Sequence, residues 1–145
     1  MTKAAQILLV EDDRMDAELA FSAFNNTGLG KIIHVAPDGE EALDYLFGRQ
    51  QYADRQTYPC PNLVLLDLNM PGMDGFEVLR QVKSAPATQR IPVVILTSVN
   101  EECDRTRAYD CGANGYFVKP STFEGLKTLV QQITGHWLKL SAKSA

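Results

Sequence analysis

Short unbroken apolar runs alternate along this chain with longer stretches whose apolar residues recur every three or four positions. The first pattern is that of a strand buried on both faces, the second that of a helix with one buried side. Gln6 to Val10 is the first run, and Glu11-Asp12-Asp13 follows it at once. From about Arg14 to Asn26, Met15, Leu19, Ala23 and Phe24 sit at helical spacing, and Gly28 and Gly30 stop the helix. Lys31 to Ala36 is short and rich in β-branched residues, so a second strand is predicted there. Pro37-Asp38-Gly39 then turns the chain into a helix with Ala42, Leu43, Leu46 and Phe47 on one side, ending near Gly48. Leu63 to Asp67 is a third strand that again ends in an acid, and Pro71-Gly72 makes a turn. Asp74 is placed to cap a helix running to about Ser84. Pro92 opens the most strand-like segment, Val93 to Ser98, and a helix from about Glu101 to Asp110 is closed by Gly112. Gly115 to Lys119 is a fifth strand. The last helix carries Leu126, Leu129, Val130, Ile133 and Trp137 as a core-facing stripe.

Strands and helices in strict alternation predict a parallel sheet with helices on both faces. Five of each use nearly all of the 145 residues, which fits one domain with no output domain attached. The exception to the short connections is Arg49 to Pro61, a polar stretch with Tyr52 and Tyr58 that is long for a helix-to-strand loop, where about 2–6 residues is usual. It reads as a functional or mobile loop or as a simple surface insertion.

Charge and composition narrow the class. Eighteen acidic against fourteen basic residues give a net charge of −4, which argues against a direct nucleic-acid binder. The apolar run near the start is too short for a signal-peptide core or a membrane span. Cys60, Cys103 and Cys111 are odd in number and lack metal-ligand spacing, so reduced thiols in a cytoplasmic protein are expected. His34 and His136 have no evident partner in the sequence and read as structural.

In an open parallel sheet, ligands sit outside the carboxyl ends of the strands. The residues there are Glu11 and Asp12, then Asp67, Thr97 and Lys119. Three carboxylates repel one another unless a cation or a proton holds them together. An all-oxygen donor set suits a hard divalent cation, Mg²⁺ in particular, with Lys119 opposite as a fixed positive charge. A divalent ion, an ammonium, a hydroxyl and a spare carboxylate oxygen form a phosphoryl-transfer site.

Glu11-Asp12 after an apolar strand, Asp67 within LVLLDLNMPGMDG, Thr97-Ser98 after PVVIL, and Lys119-Pro120 within GYFVKP together resemble the receiver domains of two-component response regulators. The match spans about residues 5 to 140. The resemblance implies a flavodoxin-like doubly wound sandwich with strand order 2-1-3-4-5. It implies that Asp67 accepts a phosphoryl group from a histidine kinase, with Mg²⁺ (Mn²⁺ as a substitute) held by Asp12, Asp67, Glu11 through water and the Asn69 backbone carbonyl. Lys119 and Thr97 would bind phosphoryl oxygens, and Tyr116 would be the aromatic that turns inward on activation. Asp13 receives no ligand role. Asn69 and Val99, each two residues past a site residue, are expected to tune the lifetime of the phosphoryl group.

The long 49–61 loop and the Trp137-Leu138-Lys139-Leu140 tail are similar to the single-domain regulators that partner cyanobacterial phytochromes. That similarity implies a phytochrome-type kinase as partner, a downstream protein as target, and a homodimer through the fourth helix, fifth strand and fifth helix. Two other classes compete. A phosphatase of the haloacid dehalogenase type would show D-x-D at its nucleophile, whereas Asp67-Leu68-Asn69 lacks the second acid. A phosphorylation-independent interaction module would not need the complete acid set.

Overall fold

The computed structural model describes residues 6–26, 32–70, 72–98 and 100–138. Five strands, β1 (Gln6–Val10), β2 (Ile32–Ala36), β3 (Leu63–Leu66), β4 (Val93–Thr97) and β5 (Gly115–Val118), alternate with α1 (Arg14–Asn25), α2 (Gly39–Phe47), α3 (Gly75–Ser84), α4 (Glu102–Asp110) and α5 (Phe123–Ile133). The strands form one parallel sheet in the order β2-β1-β3-β4-β5, the doubly wound order expected from the sequence. Every side chain of β3 and β4 is buried, which accounts for their continuous apolar runs.

The core lies in two layers. On one face α2, α3 and α4 cover Leu8, Val10, Val64, Leu66, Val93 and Ile95. On the other, α1 and α5 cover Ile7, Leu9, Leu63, Leu65, Val94 and Leu96. Alternate residues of each strand thus feed opposite layers, as a period of two requires.

One helix differs from its expected face. In α1, Met15 and Leu19 are exposed, and the buried stripe is Ala17, Ala20, Ala23 and Phe24. Small alanines let α1 lie close against the sheet, so the larger apolar residues mark the wrong side. Asn26 ends this helix through its own N–H and side chain, which donate to Ser22 and Phe24 carbonyls. Gly28, Gly30, Lys31, Lys139 and Leu140 lie outside the described residues. After α5 the chain widens into a single π-helical turn, Thr134–Leu138, which lays Trp137 edge-on against Phe117. A Cβ on Gly115 would come within 2.7 Å of the Trp137 ring, so glycine at this position is what admits the indole. No helix among the described residues is long and apolar enough to cross a membrane.

The 49–61 segment is not a loose insertion. Tyr52 is buried, and its ring meets those of His34, Tyr45 and Tyr58. His34 stacks on Tyr45 at 4.5 Å and lies 3.3 Å from the Tyr52 hydroxyl, which also donates to Glu41. Arg55 donates to the Tyr45 and Leu46 carbonyls at the end of α2 and to the Tyr58 carbonyl, tying the segment to the helix.

Candidate functional site

Three backbone hydrogen bonds carry the sheet's pairing past the strand ends. The Glu11 N–H donates to Ala36, the Asp67 N–H to Val10 and the Lys119 N–H to Thr97, at 3.0, 3.1 and 2.8 Å. Each residue is therefore fixed at the carboxyl edge by the end of a neighbouring strand. Glu11, Asp67 and Thr97 are buried there, whereas Asp12 and Asn69 are exposed at the rim.

The carboxylate oxygens of Glu11, Asp12 and Asp67 lie within 4.8 Å of one another. Lys119 reaches into this group, with Nζ 2.9 Å from Glu11 and 3.2 Å from Asp67. Its third partner, Asp16 at 2.9 Å, escaped the sequence reading. All three ammonium protons thus meet carboxylates. Asp16 stands in the first turn of α1, behind the N-cap Asp13, whose side chain accepts from the Asp16 N–H. Helical side chains lean toward the N-terminus, so an acid at this position overhangs the strand end, and that lean is the signal that was available. Asp13 itself serves as the cap.

Asp67 is surrounded by donors. The Asn69 N–H donates to Oδ1 at 3.1 Å, Lys119 pairs with Oδ2, and the Thr97 hydroxyl and Glu11 complete the set. Burial pushes Asp67 upward, but the hydrogen bonds from Glu11 and Asn69, the Lys119 charge and the Thr97 hydroxyl outweigh it, and its pKa falls below the ordinary value. Glu11 goes the other way. Burial, then its hydrogen bond and repulsion with Asp67, push its pKa up to about 9, against the pull of Lys119. A proton on Glu11 is thus shared with an ionised Asp67. Like charges in one site force this split unless a cation replaces the proton. Burial opposes the charge on Lys119, yet Asp16, Glu11 and Asp67 together raise its pKa.

Gly75 is the second residue that sequence reasoning passed over. A Cβ there would stand 2.5 Å from the Asp67 carbonyl oxygen and 2.6 Å from Leu68 Cα. Its N–H donates to the Leu68 carbonyl. The missing side chain lets α3 close directly onto the backbone that carries Asp67. Tyr116 is buried on β5, in register with Ile95 and two residues before Val118, which pairs with Thr97. Val99 lies outside the described residues. Glu11, Asp12, Asp67, Thr97 and Lys119 therefore meet at one edge, with Asn69 beside them and Tyr116 beneath α4.

The family model for the response regulator receiver domain matches residues 7–131. The chain belongs to the response regulator receiver-domain family. It is 42% identical over 132 residues to the probable methanogenesis regulatory protein FilR2 of Methanothrix harundinacea, covering 91% of this chain and 83% of that protein. It is 38% identical over 133 residues to response regulator Rcp1 of Synechocystis, covering 92% and 88%. The Mn(2+)-bound form of Rcp1 superposes with a TM-score of 0.82 over 92% of this chain and 94% of that one, at 36% identity. The phosphorylated cyanobacterial phytochrome response regulator RcpA gives 0.87 at 38% identity, covering 94% and 95%. The fold and the family resemblance read from the sequence are both borne out.

The donor set fits a hard divalent cation. It offers only oxygens, two of them on buried carboxylates that now depend on a proton and an ammonium for compensation. A softer metal would find no imidazole or thiolate among these residues.

Proposed function

We propose that this receiver domain relays a signal by accepting a phosphoryl group on Asp67 from a phosphohistidine of a kinase. The observation that carries the reading is the buried, ionised Asp67, held by Lys119, Thr97 and the Asn69 N–H at the open end of a parallel sheet. An Asp67 carboxylate oxygen attacks phosphorus, the P–N bond breaks, and an acyl phosphate forms. Lys119 balances the incoming negative charge, and the Thr97 hydroxyl donates to a phosphoryl oxygen. Asp12, Asp67, Glu11 and the Asn69 carbonyl would hold Mg²⁺ or Mn²⁺, as the Mn(2+)-bound relative supports. When bound, the ion neutralises charge on the transferring group. Tyr116 is the aromatic that responds, and the α4-β5-α5 face is where partner affinity changes.

The kinase is of the phytochrome type, as the likeness to RcpA and Rcp1 supports. The protein works in the cytoplasm and pairs as a homodimer through α4, β5 and α5. Asn69, exposed beside Asp67, and Val99 tune hydrolysis of the acyl phosphate.

The test is incubation with acetyl phosphate and Mg²⁺ followed by intact-mass measurement. One phosphoryl adduct, lost in Asp67→Asn and on chelation of the metal, is the expected result. Turnover of phosphate esters would favour a phosphatase, and no adduct at all would favour an interaction module that works without phosphorylation.

A further inference from the structure

The fourth helix is attached to the molecule in an unusual way. Its sequence, ECDRTRAYD, buries a single side chain, Ala108, and its N-cap Glu101 makes no side-chain capping bond. Two guanidinium groups serve instead. Arg107 lies over the Phe76 ring of α3, 3.9 Å from its centroid. Arg105 lies over the Tyr116 ring of β5 at 4.9 Å. Both arginines are otherwise exposed, and each lays its planar head on an aromatic face.

The two contacts differ in what lies beneath them. Phe76 belongs to α3, a well-buried helix, and its ring has neighbours on that element to keep it in place. Tyr116 is only 3% exposed although the helix above it contributes one buried alanine, and the Arg105 head lies over its ring. The guanidinium therefore links this ring directly to α4. A shift of α4, in turn, withdraws the cation that holds the ring.

We infer that Arg105 is a positioning residue that couples the inward pose of Tyr116 to the seat of α4. It acts on the phosphoryl site through Tyr116 and touches no reacting group. This rests on the reading of Asp67 as phosphoacceptor for its consequence in signalling, but the ring contact itself is independent of that reading.

The test uses the full chain with 3-fluorotyrosine in place of tyrosine, the Tyr116 fluorine resonance being assigned by its loss in Tyr116→Phe. Solvent-isotope and paramagnetic effects on that resonance report the population of exposed ring. Arg105→Met keeps the length and apolar stem but loses the charge. It should raise the exposed population about two- to fivefold, the range that a cation–π contact of about 0.5–1 kcal/mol sets, with Arg105→Lys between it and the wild type. Arg107→Met is the control, since it loosens α4 without uncovering Tyr116. An unchanged Tyr116 resonance in Arg105→Met would overturn the inference, and so would an equal change in Arg107→Met.

Acetyl phosphate with Mg²⁺ then reads the consequence. In the wild type it should shift both the Tyr116 resonance and amide resonances of α4 together, and in Arg105→Met the two shifts should separate. If the chain takes no phosphoryl group, the functional reading fails while the unlabelled comparison still decides the role of Arg105. If labelling is normal and the two shifts stay locked together in Arg105→Met, the coupling is refuted and the functional reading stands.

Discussion

One helical layer contains two kinds of attachment. At one end, α2 buries Ala42, Leu43, Tyr45 and Leu46, and α3 buries Phe76, Val78, Leu79 and Val82. The 49–61 segment then closes over α2 with Tyr52 and Arg55. At the other end α4 buries Ala108 alone and rests on two arginine–ring contacts. The two ends serve different strands. The fixed end follows β3 and closes through Gly75 onto the backbone of Asp67, so the Asp67 carboxylate stays where it is. The thin end follows β4, which carries Thr97, and covers Tyr116. A relay needs both: a site whose geometry does not move, and beside it an element whose seat is separated from alternatives by little free energy.

The largest expected effect tests the contrast directly. Leu79 is fully buried, and Leu79→Ala should destabilise the fold by about 2–5 kcal/mol through lost transfer energy and the cavity left behind. Ala108→Gly should remove only about 1 kcal/mol, chiefly helix propensity. Urea unfolding of both variants measures the gap, and equal losses would mean that α4 is as firmly held as α3.

Next in size is Arg55→Met. The guanidinium donates to the Tyr45 carbonyl at 2.7 Å and to the Leu46 carbonyl at 2.8 Å, and the variant leaves both without that donor. A loss of about 1.5–3 kcal/mol follows for charged hydrogen bonds of this kind. Limited proteolysis within residues 49–61 should accelerate with it. A wild-type cleavage rate would show that the aromatic cluster alone pins the segment.

A smaller effect comes from the same cluster through pH. Burial holds His34 below its ordinary pKa, against the pull of Glu41, so the folded protein excludes a proton that the unfolded chain takes up. Stability is therefore complete above the unfolded value, about 6.5, and declines as pH falls from there toward the lower folded value. Melting temperatures between pH 7.5 and 5.5 should fall more steeply in the wild type than in His34→Phe, which keeps a ring on Tyr45 and does not titrate. Parallel slopes would remove His34 from the account.

Much of this contrast could be read from sequence, though not all of it. β3 and β4 are continuous apolar runs, and the acids that end β1 and β3 stand where a parallel sheet gathers its ligands. The meeting of Glu11, Asp12, Asp67, Thr97 and Lys119 was legible for that reason, whereas the strand order followed from the family resemblance. Asp16 was legible only in part: its place in the first turn of α1 was a signal, but its link to Lys119 also depends on how α1 crosses the strand ends, where Ala17, Ala20 and Ala23 are the buried residues. Those alanines carry little hydrophobic signal, and the larger Met15 and Leu19 pointed to the face that proves exposed. Tyr52 and Tyr58 sit in a segment that is polar by composition. Their packing depends on Tyr45 of the preceding helix and on His34 of β2, which no pattern within the segment reveals. The thinness of α4 could be seen in ECDRTRAYD, but which rings its arginines would find could not.

The smallest effect concerns the helix starts. Asp74 caps α3, its side chain accepting from the Glu77 N–H at 3.0 Å, while Glu101 at the start of α4 accepts no such bond. Asp74→Ala should therefore destabilise the protein by about 1 kcal/mol, whereas Glu101→Ala should change little. The sharper variant is Glu101→Ser, because the backbone of residue 101 is already extended, as an N-cap requires, and a short hydroxyl there reaches an N–H that glutamate overshoots. A gain of about 0.5–1 kcal/mol is expected, confined to α4 and visible as slower amide exchange along its first turn. If α4 is the element that shifts when Asp67 is modified, a firmer cap must also make that shift harder. Glu101→Ser should then respond less to acetyl phosphate while taking up the same phosphoryl adduct. A gain in stability with an unchanged response would mean that the thin attachment of α4 is a feature of packing with no part in the relay.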